Sequence, residues 1–185
     1  MNYHHGNLEQ VILDLGLASA RDSGQAGLGV RKLAAQAGVT PGSIYRHFSN
    51  SEAIKAEVSK LARETLAKKM LAGLGDLTDA KLRFQSLLET YLDFAFDEKN
   101  LFAISTASCS EPTKTPDEYS VWAIVVSAIE DLSQAGRLKT GTVASNTDFV
   151  WASAQGYATL VNQNQDIVSL TRDEFIDHLV SALIL

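Results

Sequence analysis

The residues best able to do chemistry lie close together, a quarter of the way along the chain. Thr40-Pro41-Gly42-Ser43 is followed by Ile44 and then by Tyr45-Arg46-His47. Thr40 can cap a helix, because its hydroxyl can accept from a backbone N–H that the first turn leaves unsatisfied. Pro41 suits the first helical position, where no N–H is needed. Gly42 and Ser43 leave the start of that helix nearly bare of bulk. Such a terminus can approach a phosphate or a base edge with free N–H groups and a positive dipole end. Tyr45, Arg46 and His47 add side-chain donors beyond it. The chemistry suited to this set is recognition of phosphates and base edges, with no covalent step. The plainer alternative makes Tyr45 and His47 satisfied polar residues on a small bundle and Arg46 a solvated side chain.

Two short helices must hold this set in place. Val30, Leu33, Ala34 and Ala37 fall at helical spacing and predict a helix over 30–37. Gly38 ends it and can take the left-handed conformation that reverses the chain. Val39 can pack between the two helices, and Ala34 is small enough to let the second cross close by. The second helix starts at the Thr40 cap and ends near Phe48, with Ile44 and Phe48 inward. Two short amphipathic helices joined by a three-residue turn with glycine form a helix-turn-helix. A first helix, over 7–23, carries Leu8, Val11, Ile12, Leu15 and Ser19 on one face and is closed by Gly24. Ser49-Asn50-Ser51-Glu52 has a capping-box pattern. It opens a long helix with Ile54, Val58, Leu61 and Ala62 on its apolar face.

That helix stops near Gly73 or Gly75, and Gly73-Leu74-Gly75-Asp76 is the best domain boundary. A helix over 78–97 follows, with Phe84, Leu87, Leu88, Tyr91 and Ala95 on one face, and then a shorter one over 100–108. Past a loop at 110–115, Thr115-Pro116-Asp117-Glu118 reads as a second capping box. It starts a helix with Trp122, Val125, Val126, Ile129 and Leu132 inward, ending at Gly136. Ser145-Asn146-Thr147-Asp148 caps another helix that runs to about Gln163. Thr171-Arg172-Asp173-Glu174 caps the last. No convincing strand or repeat is visible. The expectation is an all-α chain of about nine helices. Residues 1–50 would form a helix-turn-helix domain, 51–75 a connecting helix, and 76–185 a helical ligand-binding and dimerisation domain.

Charge supports this division. The net charge of −6 argues at first against nucleic acid. Residues 1–70, however, hold nine Lys/Arg against six Asp/Glu, whereas residues 71–185 hold seven against sixteen. An acidic body would repel phosphates and orient a mildly basic head toward them. One cysteine, Cys109, leaves no disulfide framework and no cysteine-cluster zinc site, and it points to a reducing cytoplasm. Cys109 itself reads as an inert small hydrophobe. Glu9 and Asp14 stand where a secretory signal would be basic and then apolar. The apolar run over 121–129 is far short of the roughly 20 residues of a membrane span.

Enzyme classes find little support. There is no phosphate-cradling glycine loop, no nucleophile elbow and no metal-binding helix motif. Glu111, Asp117 and Glu118 fit the acidic preference of a helix start. His4 and His5 have no third ligand nearby in sequence, and His178 reads as a solvated or interface residue. No cofactor and no metal are expected.

The run Leu33-Ala34-Ala35-Gln36-Ala37-Gly38-Val39-Thr40-Pro41-Gly42-Ser43-Ile44-Tyr45-Arg46-His47-Phe48 resembles the signature of the tetracycline-repressor (TetR) family of bacterial transcriptional regulators. The resemblance spans about residues 8–58. Tyr3-His4-His5-Gly6-Asn7-Leu8 is similar to the opening of a subset of that family. Trp151 to Gly156 resembles that subset's Trp-His-Gly element, with Gln155 where histidine is usual.

The resemblance implies a repressor that a small-molecule effector releases from operator DNA. Its second short helix would be the recognition helix. Arg31 would reach a base edge; Thr40, Pro41, Gly42 and Ser43 would meet phosphate and bases; Tyr45 and His47 would grip phosphates, with Arg46 beside them. Ser51 stands where the family usually has a phosphate-binding lysine, and Lys55 one turn later would compensate. Gly29 stands where Ser or Thr commonly caps the first short helix. The last two helices would pair with their mates in a homodimer through Val150, Ala154, Tyr157, Val161, Phe175, Ile176, Leu179 and Leu183.

Surplus apolar and aromatic residues on several helices predict an apolar effector pocket, lined by Phe84, Leu88, Tyr91, Phe102, Trp122, Val126, Trp151 and Gln155. Gln155 would supply a polar contact. The competing expectation is a packed core with Gln155 bonded internally. A rival function, a helical ligand-binding or protein-interaction module without DNA binding, draws on the net acidity and on Ser51. Salt-dependent DNA binding separates the two.

Overall fold

The computed structural model describes residues 8–107, 120–163 and 167–185. Among them lie nine α-helices: α1 (Leu8–Ser23), α2 (Val30–Ala37), α3 (Pro41–Ile44), α4 (Ser51–Leu74), α5 (Ala80–Asp97), α6 (Lys99–Ala107), α7 (Val121–Gln134), α8 (Val143–Asn162) and α9 (Arg172–Leu183). The only extended pairing among the described residues is an isolated bridge between Leu138 and Ile184. It is closed by Lys139 N–H to Leu183 O at 2.9 Å and Leu185 N–H to Arg137 O at 2.8 Å. Among the described residues no helix is long and apolar enough to cross a membrane.

The described chain forms two compact units, a head of 8–63 with 98–107 and a body of 64–97 with 120–163 and 167–185. The head is built on α1, α2 and α3. Ile12, Leu33, Ala34, Ile44 and Phe48 are buried there, as the periodicity predicts. Gly38 adopts φ +67°, and the α2 terminus closes with Gly38 N–H to Ala35 O and Val39 N–H to Ala34 O. This closure satisfies carbonyls that a helix end leaves open. A 3-10 segment, Gly24–Leu28, was not anticipated from the sequence. It presses onto α1 so closely that a Cβ on Gly27 would lie 2.3 Å from the Ser19 carbonyl oxygen. Helix α6 also belongs to the head. Arg21 pairs with Glu98 at 2.9 Å, Asn100 donates to Arg21 O at 2.9 Å, and the buried Ser59 donates to Ile104 O at 2.8 Å.

In the body, α5 meets α7, α8 and α9 over a core that includes Phe84, Leu92, Phe94, Ile129 and Leu132. Arg172 at the start of α9 reaches Asp93 on α5 at 2.6 Å.

Several helix ends differ from expectation. Helix α3 stops at Ile44, and the chain reaches Phe48 through turns, with His47 and Phe48 N–H both bonding Ile44 O. Helix α4 is capped by Asn50, whose Oδ1 accepts from Ala53 N–H at 2.9 Å, while Glu52 turns to Lys55. Ser120 caps α7, and the expected box at 115–118 lies outside the described residues, as do His4, His5 and Cys109. Helix α8 begins at a capping box of Thr142 with Ser145, three residues before the expected one, and Thr147 is buried inside the helix. The Thr171–Glu174 box is present at α9 as expected.

Candidate nucleic-acid interface and effector cavity

The start of α3 is built by side chains. Thr40 is extended, and its Oγ1 accepts from Ser43 N–H at 3.3 Å and lies 3.0 Å from Ser43 Oγ. Thr40, Pro41 and Gly42 are exposed. A Cβ on Gly42 would meet nothing nearer than Thr40 Oγ1 at 3.8 Å, so the surface is open to close approach. Tyr45, Arg46 and His47 project from the turns after α3, with Tyr45 52% exposed. With only four residues in α3, little dipole accumulates, so the positive helix end foreseen from the sequence is weak. The groups that this surface offers are hydroxyls, the phenol, the imidazole and nearby cations.

Arg31 is exposed in the first turn of α2 and has no ion pair among the described residues. Lys55 is half-buried in α4 and holds Glu52 at 2.7 Å. His47 Nδ1 lies 4.0 Å from a carboxylate oxygen of Glu9 on α1. Gly29 gives α2 no side-chain cap. Every residue expected at the DNA surface therefore lies in the head, and Thr40 and Ser43 are in direct contact.

The body encloses a cavity of about 30 Å³, lined by Met70 of α4, Phe84, Leu87, Leu88 and Tyr91 of α5, Val125 and Ala128 of α7, and Val150, Trp151 and Ala154 of α8. Of the residues expected there, Phe84, Leu88, Tyr91 and Trp151 line it. Phe102 is buried in the head instead. Trp122 lies 41% exposed on α7 and meets Trp151 edge to face at 5.4 Å. Val125 takes the place expected of Val126, one position further on. Gln155 stands behind the wall, where its Oε1 accepts from Tyr91 OH at 2.6 Å and its amide donates to Thr159 at 3.4 Å. This is the internally bonded arrangement. Burial pushes the Tyr91 phenol above its ordinary pKa, so it is neutral.

Most of the expected dimer set is covered within the body itself. Val150 and Ala154 line the cavity. Ile176, Leu179 and Leu183 are buried within the body, as is Tyr157, which stacks on Phe175 with ring centres 4.0 Å apart. Phe175 and Val161 are half-buried. The outer stripe of α8 carries the exposed Phe149 and Ala152 and the half-buried Ser153, Gly156 and Leu160, and Leu185 is 69% exposed after α9. Apolar residues occur on two faces of α8, so periodicity alone could not tell the inner stripe from the outer. Met70, Leu87 and Ala128 were missed as lining residues; Leu87 was legible as core, but nothing distinguished cavity wall from packed interior.

Among the described residues no group of three or more His, Cys, Asp or Glu side chains could hold a metal ion.

Known proteins identify the head. Residues 12–58 match the bacterial regulatory proteins of the tetR family. None of the curated proteins matches the chain significantly. Among solved structures, a protein of unknown function from Rhodococcus sp. RHA1 is similar over 100% of both chains, with TM-score 0.80 and 22% identity. The transcriptional regulator FadR from Bacillus subtilis, in complex with stearoyl-CoA, is similar over 94% of this chain and 98% of its own, with TM-score 0.68 and 22% identity. AibR in complex with isovaleryl coenzyme A and operator DNA is similar over 95% of this chain and 97% of its own, with TM-score 0.63 and 16% identity. The fold is all-α, with a helix-turn-helix head similar to that of bacterial regulatory proteins. The family match covers the helix-turn-helix head, and the likeness of the whole chain to these solved structures is one of fold.

Proposed function

We propose that this protein represses transcription as a homodimer that sits on a two-fold operator and is released when a small molecule occupies the body. The observation that carries this reading is α4. It is one uninterrupted helix that begins one turn after the recognition segment and delivers Met70 to the cavity wall. A ligand that shifts Met70 acts on the same helix that leaves the head. It alters DNA affinity only so far as it favours one arrangement of the heads over another.

In the head, Arg31 reads a base edge. Thr40, Gly42 and Ser43 let the backbone of α3 approach the groove, and Tyr45 and His47 hold phosphates. Lys55 serves where Ser51 replaces the usual lysine, once its pair with Glu52 opens. The outer stripe Phe149-Ala152-Gly156-Leu160 of α8 is the face that meets the partner subunit. The acyl-coenzyme A complexes of FadR and AibR support a small-molecule site in a body of this kind.

Fluorescence anisotropy on selected duplexes tests the reading. Selected sites should be imperfect palindromes, since a two-fold dimer reads two-fold DNA. The logarithm of affinity should fall against the logarithm of salt by about 0.9 for each phosphate neutralised. Affinity indifferent to both sequence and salt would leave a helical binding module without an operator.

A further inference from the structure

The cavity's walls also say what kind of molecule can enter. We infer that the effector is a compact, uncharged, mainly hydrocarbon molecule, about one ring in size, with at most one hydrogen-bonding group. This inference rests on the effector-release reading and narrows it.

Charge is decided by the lining. All the wall residues but Tyr91 and Trp151 are purely apolar, and none carries a charge among the described residues. The one hydroxyl on the wall, that of Tyr91, already donates to Gln155. An anion drawn inside would lose its water and find no counter-charge, a strongly unfavourable transfer. A neutral group fares differently. The Gln155 amide is held by a bond of only 3.4 Å to Thr159, so its N–H can turn to a ligand hydroxyl or carbonyl that reaches past Tyr91.

Size is decided by which walls can give. At about 30 Å³ the empty space holds roughly one water-sized molecule, so any organic ligand must widen it. Phe84, Leu87 and Leu88 are each at most 4% exposed and belong to the packed face of α5. Met70 is unbranched and adapts by rotation about its side-chain bonds. Trp151 is half-buried, and its outer neighbour Trp122 is 41% exposed, so the pair can swing outward toward solvent. Two movable walls admit a ring and exclude a long chain with a polyanionic head.

The chain's two tryptophans are this pair, which makes the test direct. Toluene and cyclohexanol, titrated into the full-length protein, should change tryptophan fluorescence saturably and raise the melting temperature. Cyclohexanecarboxylate, the charged match of cyclohexanol, should bind at least roughly tenfold more weakly, and stearoyl-CoA should not compete. Ala128→Val and, independently, Ala154→Val place extra methyl groups in the cavity. Either variant that keeps a cooperative melt should lose the neutral probes.

The inference is overturned if neither neutral probe binds up to its solubility limit. It is also overturned if the carboxylate or the thioester binds as well as cyclohexanol and is lost in the filled variants. A different result addresses the release reading alone. If cyclohexanol binds, the filled variants block it, and operator affinity is the same with and without it, the ligand class stands and the switch does not.

Discussion

Arg31 and Tyr45 are both exposed in the head and are assigned different work. A guanidinium can pair with a base edge in the major groove, whereas a phenol on a phosphate carries no sequence information. Arg31→Ala should therefore cost about 1–3 kcal/mol on the best operator and relax one position in selected sites. Tyr45→Phe should weaken binding to all sequences alike. Among the described residues neither side chain bonds to the rest of the head, so circular dichroism should show both variants folded. Equal losses on operator and random DNA for Arg31→Ala would remove its base-reading role. At this scale the sequence was most legible where side chains act on their own neighbours in the chain. Thr40 as cap, Gly38 as left-handed terminus, and Ile44 and Phe48 as buried anchors all follow from local chemistry and are all present. Gln155 shows the opposite case. Its partner Tyr91 lies 64 residues away, and no local rule brings them together.

Helix termini show the same division at the scale of elements. The α9 box was legible because Thr171 and Glu174 sit at the required spacing and nothing nearby competes. At α8 two hydroxyl-bearing starts compete, at Thr142 and at Ser145. The earlier one prevails, with Thr147 buried inside the helix. The α9 cap carries a pH signature. Glu174 accepts from Thr171 N–H and from its hydroxyl, both at 2.8 Å, and these bonds lower its pKa in the folded state. A lowered carboxylate pKa gives stability that is present above the unfolded value and lost as pH falls through the folded one. Glu174→Gln should slightly lower the melting temperature at neutral pH and reduce the loss seen on acidification below about pH 4.3. Thermal melts across that range check it; an unchanged acid limb would mean that the box does not contribute.

At the scale of the whole molecule, the proposed assembly rests on the apolar stripe of α8. A Cβ on Gly156 would meet no atom within 4 Å, so the position is open in a single chain. Gly156→Leu should leave the isolated fold at least as stable, since glycine inside a helix costs about 1 kcal/mol relative to alanine. It should also push two subunits apart if that stripe is the interface. Light scattering would then report a monomer with an undiminished melting temperature, and operator affinity would fall. A dimer that tolerates leucine would move the interface elsewhere. The inner and outer stripes of α8 were not separable in the sequence, because both are apolar and only the packing of α5 and α7 chooses between them.

The attachment of α6 to the head bears on how such proteins can be recombined. The head is not one stretch of chain: it needs 8–63 and, after an excursion through α5, 98–107. A chimera cut at the glycines of 73–75, where the sequence suggests a module boundary, would transplant the head without α6. It would strip Glu98 from Arg21 and the Ile104 carbonyl from Ser59, whose hydroxyl would keep only the bond it accepts from Arg63. Functional exchange of DNA specificity with a relative therefore requires moving α6 as well, or confining the graft to α2 and α3. The same interleaving means that the head can complete itself only after α5 has emerged from the ribosome.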